Sequence, residues 1–238
     1  VAIAAFPVAA FLHAGELRGQ EWEVAAHYIL PAGSRGENLR IGGLSGLAWN
    51  PKEKRLWAVS DSRKWAQSAI FSFQLHLPDA SGSPFWLEPD GGFMLAPGKE
   101  NHGPLDAEGL ALWTRNRFFL SHEGSKSGRL APGIACFSAS TAKPLFSLNF
   151  PDWFFPGADS PRRGLQENRG FESVAVSGDG KLLYAASESP LMQDLSNPFD
   201  GARGPVRLLR FDLKNRQAPP AQRAYIAEGD AMFGSVVD

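Results

Sequence analysis

The sequence predicts an all-β fold, a β-propeller built from four-stranded blades. A similar segment occurs three times and begins a fourth time, at residues 44–49 (LSGLAW), 107–112 (AEGLAL), 171–176 (FESVAV) and 234–237 (GSVV). The equivalent positions 45, 108, 172 and 235 are separated by 63, 64 and 63 residues. Regular self-similarity at this scale is typical of an array of equivalent supersecondary units.

Each repeat contains four short apolar segments that Gly, Pro, Asn and Asp separate, as expected of strands. In residues 69–77, for example, apolar side chains largely take every second place. Four strands per repeat form one propeller blade. We therefore expect a propeller domain over residues 22–238, with blades at approximately 41–95, 105–150 and 170–228.

A propeller closes with roughly four to eight blades. The sequence accounts for three blades and the first strand of another, so we expect a fragment from which about two or three blades are missing.

Residues 1–12 (VAIAAFPVAAFL) are almost wholly apolar, as in the middle of a secretory signal. We interpret residues 1–14 as a signal-peptide remnant and expect a periplasmic or secreted protein. The alternative is an outer strand or short helix packed on the domain.

Composition excludes several classes of function. The 238 residues carry a net charge of −1, which gives no reason to expect nucleic acid or an anionic membrane as a partner. No run of 18 apolar residues occurs, so no transmembrane helix is expected.

The single cysteine, Cys136, is expected to be buried in a strand. Trp49, Trp57 and Trp113 are expected to pack between blades.

Acidic residues recur at one end of the predicted strands. Glu108 and Glu172 begin the first strands of their repeats, and the second strands end at Asp61, Glu123 and Glu188. Because neighbouring strands of a blade are antiparallel, these positions lie on one face of the propeller. Asp106, two residues before Glu108, adds a further acid to this face.

Carboxylates gathered in this way either raise their pKa values or bind a cation. A set of oxygen ligands favours a hard ion, calcium before magnesium. The predicted metal ligands are Asp61, Glu108, Glu123, Glu172 and Glu188. The alternative is that each acid only accepts hydrogen bonds from loop amides and holds a strand end in place.

Basic residues are predicted on the same face, namely Arg63, Lys126 and Arg169. Acids that hold a metal beside guanidinium groups suit phosphate monoesters, because the metal offsets charge while Arg binds the phosphate oxygens. We predict these three residues to bind substrate and Glu108 and Glu172 to be catalytic. No nucleophile motif is present, so a water molecule is the expected attacking group.

Several motifs resemble the phytase-like family, described as "esterase-like activity of phytase". They occur in order at residues 41–51 (IGGLSGLAWNP), 59–61 (VSD), 106–110 (DAEGL), 168–175 (NRGFESVA) and 188–191 (ESPL) with Asp194. The resemblance covers about residues 41–225. It implies a β-propeller, frequently exported from bacteria, that hydrolyses phosphate or other esters. One departure is Ser173, which replaces the glycine usual after the Glu of the NRGFE motif.

Three functions are consistent with these observations. The first is an exported, calcium-dependent hydrolase of phosphate monoesters. The second is a metal-dependent propeller lactonase or carboxylesterase, whose pocket would need apolar walls in place of Arg63 and Arg169. The third is a non-catalytic binding propeller in which the acids are structural.

Overall fold

The computed structural model describes residues 27–61, 68–78, 84–96, 105–125, 130–155, 162–195 and 204–226. Within these ranges the fold consists of one two-stranded sheet and three four-stranded antiparallel sheets. The two-stranded sheet pairs β1 (Arg35–Gly36) with β2 (Leu39–Arg40). No helix in the described ranges is long and apolar enough to cross a membrane.

The four-stranded sheets follow one another along the chain, each with its strands in sequence order. The first sheet contains β3 (Leu44–Asn50), β4 (Arg55–Ser60), β5 (Ala69–His76) and β6 (Trp86–Met94). The second contains β7 (Leu105–Thr114), β8 (Arg117–Ser125), β9 (Gly133–Ser138) and β10 (Pro144–Ser147). The third contains β11 (Phe171–Val176), β12 (Leu182–Ser187), β13 (Val206–Asp212) and β14 (Ala221–Tyr225).

This architecture confirms the prediction of an all-β fold made of four-stranded antiparallel units. The helical elements in the described ranges are two short 3-10 helices, Asp152–Phe154 and Met192–Asp194, in the connections around the third sheet. The number of blades in the whole propeller stays a prediction. Residues 1–14 and 234–237 lie outside the described residues.

The first strands of the three sheets are neighbours, as the innermost strands of propeller blades are. β7 contacts β3 on one side and β11 on the other. Their backbones meet directly at two glycines. A Cβ on Gly46 would collide with the Glu108 carbonyl oxygen and lie 2.7 Å from the Leu110 amide nitrogen. A Cβ on Gly109 would lie 2.5 Å from the Glu172 carbonyl oxygen.

Apolar side chains fill the space between successive sheets. One cluster joins the first and second sheets and includes Val59, Ile70, Leu110, Phe118 and Leu120. Another joins the second and third sheets and includes Phe119, Ile134, Cys136, Phe171, Leu183 and Leu209. Tyr28, Leu30 and Leu39 pack against a third cluster, within the first sheet. These contacts orient the sheets so that their equivalent ends lie together.

The structure confirms the expectation for Cys136 and two of the three tryptophans. Cys136 is buried, and burial raises the pKa of its thiol to about 11. Trp57 and Trp113 are half-buried against the two inter-sheet clusters. The expectation for Trp49 is wrong, because its side chain is 45% exposed. Ala48 packs towards the second sheet, and alternation along β3 directs Trp49 to the opposite face.

His122 is a buried titratable group on β8. Its ring is 4% exposed, and its Nδ1 atom has no hydrogen-bond partner among the described residues. Burial disfavours the charged imidazolium and lowers the pKa of His122 to about 4. The imidazole is therefore neutral in the folded protein at pH 7.

We expect Gly46→Ala to destabilise the protein by about 3 kcal/mol, because the new methyl group collides with the backbone of β7. Gly178→Ala is the matched control: its Cβ would have no atom within 4 Å, and its effect should stay within about 0.5 kcal/mol. Urea unfolding of both variants measures the difference. Equal stabilities would contradict the close packing of β3 on β7.

Acid should weaken the fold through His122. The unfolded chain takes up a proton below pH 6.5, whereas the folded protein does so only near pH 4, so stability falls as the pH drops through this interval. Between pH 7.5 and pH 5 the wild type should lose roughly 2 kcal/mol more unfolding free energy than His122→Gln. Denaturant titrations at both pH values test this, and parallel losses in the two proteins would refute it.

Candidate functional site

The repeated position 45, 108 and 172 coincides with a β-bulge in each four-stranded sheet. In the first sheet the register shifts between Leu44 and Gly46, so Ser45 is the extra residue. Glu172 is the extra residue in the third sheet, and in the second sheet the shift spans Glu108 and Gly109. A bulge redirects the side chain at the extra residue. The same irregularity therefore displays Ser45 in the first sheet and glutamates in the next two.

Five carboxylates meet at this end of the second and third sheets. They form a first group of Asp106, Glu108 and Glu123 and a second group of Glu123, Glu172 and Glu188. Within each group, one oxygen from each residue lies within 4.8 Å of the others. Four of these residues belong to the predicted metal set. The structure thus brings Glu108, Glu123, Glu172 and Glu188 together.

The first group is the more deeply buried. Asp106 is 7% exposed and Glu108 is 6% exposed, whereas the members contributed by the third sheet are partly accessible. The Asp106 Oδ1 atom is buried and has no hydrogen-bond partner among the described residues. Leaving a buried carboxylate oxygen without a partner costs free energy. This oxygen is therefore suited to a cation, which would supply the missing interaction.

Glu123 links the second sheet to the third. Its Oε1 atom accepts a hydrogen bond of 2.6 Å from the Gly170 amide, which immediately precedes β11. The carbonyl of Gly170 in turn accepts a hydrogen bond from the Glu188 amide at 2.9 Å. One residue of backbone thus orients the Glu123 carboxylate and holds Glu188 beside it.

Ser121 connects the two bulges that carry glutamates. Its hydroxyl accepts a hydrogen bond from the Gly109 amide at 2.8 Å and donates one to the Glu172 carbonyl at 3.3 Å. The side chain is fully buried. Because both partners adjoin or belong to bulged positions, Ser121 fixes the separation of Glu108 and Glu172 along the neighbouring strands.

Arg169 lies at the edge of this cluster, one residue before Gly170. Its amide donates to the Gln166 carbonyl at 3.3 Å, and its Nη1 atom lies 3.5 Å from the Ser189 hydroxyl. Gln166 is itself anchored through a hydrogen bond from Nε2 to the Pro190 carbonyl at 2.8 Å. The loop before β11 and the loop after β12 therefore hold this guanidinium group near Ser189, the residue that follows Glu188.

The other predicted site residues have different positions. Asp61 follows β4, where its amide donates to the Gly43 carbonyl at 2.7 Å, and neither carboxylate group found in the described residues includes it. Arg63 and Lys126 lie outside the described residues. Asp194, part of the family resemblance, accepts a hydrogen bond of 2.8 Å from Arg207 Nε.

A cavity of about 900 Å³ lies at the opposite end of the inner strands. It is lined by the turns after β3, β7 and β11, and Trp49, Arg115 and Gly178 are among its wall residues. None of the five clustered carboxylates lines it. This cavity is therefore separate from the carboxylate cluster.

Asp106 was not among the predicted metal ligands, although the sequence places it on the same face. Its position two residues before Glu108, at the start of an inner strand, is the feature that could have identified it as a ligand. The set of donors contains oxygen atoms only, which fits a hard divalent cation such as calcium or magnesium. The residues present therefore fit a cation of this class.

Comparisons with known proteins agree with the motifs. The phytase-like family, described as "Esterase-like activity of phytase", matches residues 39–236. A protein of Arthroderma benhamiae, described as an "Uncharacterized secreted protein", is 29% identical over 160 residues. The alignment covers 61% of this chain. It covers only 31% of that relative's length.

Solved structures with partial similarity include three further proteins. The Dos1 propeller has a TM-score of 0.41 and 13% identity, over 79% of this chain and 38% of that one. A luciferin-regenerating enzyme has a TM-score of 0.40 and 16% identity, over 76% of this chain and 48% of that one. A thermostable family-43 glycoside hydrolase has a TM-score of 0.41 and 10% identity, over 79% of this chain and 55% of that one. These overlaps are partial, and the family assignment depends on the sequence match. Since that match extends over most of the sequence, the chain belongs to the phytase-like family.

Proposed function

We propose that this chain carries the active site of an exported hydrolase that uses a divalent cation, with calcium as the expected ion, to cleave phosphate monoesters. The observation that carries the proposal is the meeting of five carboxylates, one of which, Asp106, has a buried oxygen with no hydrogen-bond partner in the part of the chain that the structure describes. Membership of a family described by phytase and esterase activity supports an ester as substrate.

The charge of the cluster makes a cation necessary for this substrate. A phosphate monoester is itself anionic, so bare carboxylates would repel it. Asp106, Glu108, Glu123, Glu172 and Glu188 are the residues that would hold the cation. When bound, a divalent ion would offset charge on the phosphoryl group and make water a stronger nucleophile.

Glu108 and Glu172 are proposed as the catalytic residues because the bulges display them on adjacent inner strands. One carboxylate would orient a water molecule and accept its proton at an Oε atom. The water oxygen forms a bond to phosphorus as the bond from phosphorus to the alcohol oxygen breaks. The alcohol oxygen then takes a proton from solvent.

Arg169 is proposed to bind the non-bridging oxygens of the phosphate, a role that the fork of donors on a guanidinium group suits. Ser189 and the Gln166 loop hold it at the edge of the carboxylate cluster. Arg63 and Lys126 remain proposed as additional anion-binding residues, and Asp61, which belongs to neither carboxylate group, remains a predicted metal ligand. Export, to the periplasm or the medium, is supported by the apolar segment 1–12 and by the Arthroderma benhamiae relative, which is described as secreted.

Removal of the cation should abolish hydrolysis of p-nitrophenyl phosphate by the full-length protein. Excess EDTA should reduce turnover to background, and added calcium should restore it. Glu108→Gln should lower kcat/KM roughly 100-fold, because one charged ligand is lost. Glu53→Gln, in an exposed turn at the other end of the first sheet, should keep wild-type activity. Full activity in EDTA together with an active Glu108→Gln would contradict the proposal.

Arg169 should distinguish phosphate from neutral substrates. Arg169→Ala should raise KM for p-nitrophenyl phosphate about 10-fold or more, since a charge-assisted contact to the substrate is lost. Arg169→Lys should recover part of this loss. Thermal melts of both variants show whether the fold is intact. Wild-type protein that hydrolyses a lactone or p-nitrophenyl acetate, but not the phosphate ester, would favour the lactonase or carboxylesterase alternative.

A further inference from the structure

The cavity at the turn end of the inner strands has the size of a small-molecule site. It measures about 900 Å³ and is bounded by the turns after β3, β7 and β11. Pockets that bind small molecules and cofactors occupy about 300–1,000 Å³. None of the five clustered carboxylates lines the cavity. A ligand bound here would therefore be separate from the substrate of the proposed hydrolase.

One wall of the cavity is apolar, and packing between the first and second sheets is incomplete beside it. Trp57 of β4 and Leu112 of β7 pack against the inter-sheet cluster, yet both are only half-buried, and both line the cavity. Phe118 of β8 and Ala139 line it as well. The apolar surface that these residues leave accessible is suited to a planar ring that lies against them.

Trp57 also carries an unused hydrogen-bond donor. Its Nε1 atom is buried and has no hydrogen-bond partner in the part of the chain that the structure describes. Buried indole N–H groups usually have a partner, because an unmade hydrogen bond costs free energy. On the adjacent wall, the Nε1 atom of Trp113 donates to the Gly180 carbonyl at 2.9 Å. An acceptor oxygen on a ligand would give Trp57 the kind of partner that Trp113 already has.

The rim of the cavity is basic. Among the lining residues that the structure describes, four are cationic, namely Lys52, Arg55, Arg115 and Arg117. Glu53 is the one acidic residue among them. The whole chain, in contrast, has a net charge of −1. Positive charge is therefore concentrated around this cavity and favours an anionic ligand.

Two of the four cations already have partners. Arg55 forms an ion pair of 2.8 Å with Asp90, and the Arg117 guanidinium group lies 5.7 Å from the centre of an indole ring. Lys52 and Arg115 are exposed and form no ion pair within the described ranges. A carboxylate at the rim would accept charge-assisted hydrogen bonds from either of them.

We propose that this cavity binds a small aromatic acid, that is, a planar ring that carries one anionic group. The ring lies against Trp57 and Leu112, and the anionic group pairs with Arg115 at the rim. Binding requires neither a metal ion nor hydrolysis. The inference therefore goes beyond the proposed function and does not rest on it.

Isothermal titration of the full-length protein with 2-naphthoate tests this inference. Two further probes separate the features of the ligand, since 2-naphthol has the same rings without the charge and acetate has the charge without the rings. Naphthoate should bind about 10-fold or more tightly than either, because each of the others lacks one recognised feature. Its affinity should fall as sodium chloride is added, because salt screens the exposed cations. EDTA should leave the affinity unchanged.

Variants locate the binding site. Arg115→Glu should weaken naphthoate binding about 10-fold, because repulsion replaces attraction, whereas Arg115→Lys should stay within about 2-fold of wild type. Trp57→Phe keeps a ring but lacks the N–H group, and it should bind about 5-fold more weakly. Arg169→Ala, at the carboxylate end, is the control and should bind naphthoate as the wild type does. Thermal melts show whether each variant is folded.

Several results would overturn the inference. They are a naphthoate dissociation constant weaker than about 1 mM, equal affinity for naphthol, and wild-type binding by Arg115→Glu or Trp57→Phe. Binding that EDTA abolishes would place the ligand at the carboxylate cluster and would overturn it as well. The hydrolase is tested separately, because Arg115→Glu should cleave p-nitrophenyl phosphate at the wild-type rate. Loss of that activity in a folded variant would contradict the separation of the two sites.

Discussion

Close contact between the backbones of the inner strands is the constraint on which the rest of this structure depends. At residues 46 and 109 the neighbouring strand occupies the space that any side chain would need. Glycine removes this obstacle and lets β3, β7 and β11 lie side by side. The bulges occur at the same level, so the residue next to each glycine, Glu108 in β7, is turned towards the common end of the sheets.

Much of this arrangement could be predicted from the repeat alone. Steps of 63 and 64 residues make the inner strands equivalent, and equivalent strands place their ends on one face. Glu108 and Glu172 occupy the same repeat position, and Glu123 and Glu188 occupy corresponding positions at the ends of second strands. Periodicity therefore sufficed to predict that these four side chains lie together. The expectation that Trp57 and Trp113 pack between blades also holds, because both are half-buried against the inter-sheet clusters.

Other features depend on interactions that periodicity does not contain. The sequence placed Asp106 on this face but did not show that it lies at a register shift, where one residue of β7 stands opposite two of β8. The orientation of Glu123 depends on an amide 47 residues away in the next sheet. Trp49 shows the same limit, because alternation separates the two faces of β3 but does not say which face a neighbouring sheet covers. For Arg63 and Lys126, the sequence prediction stands without a structural counterpart.

The buried hydroxyl of Ser121 has a further consequence. It accepts a hydrogen bond from one bulge and donates one to the next, so a single oxygen atom sets the spacing between the two bulges. A larger side chain at position 121 would push β7 and β11 apart. A smaller side chain without a hydroxyl would remove both hydrogen bonds. The loops around the cluster can therefore differ in length or sequence without altering the interval between the two glutamates, which Ser121 sets from within the sheets.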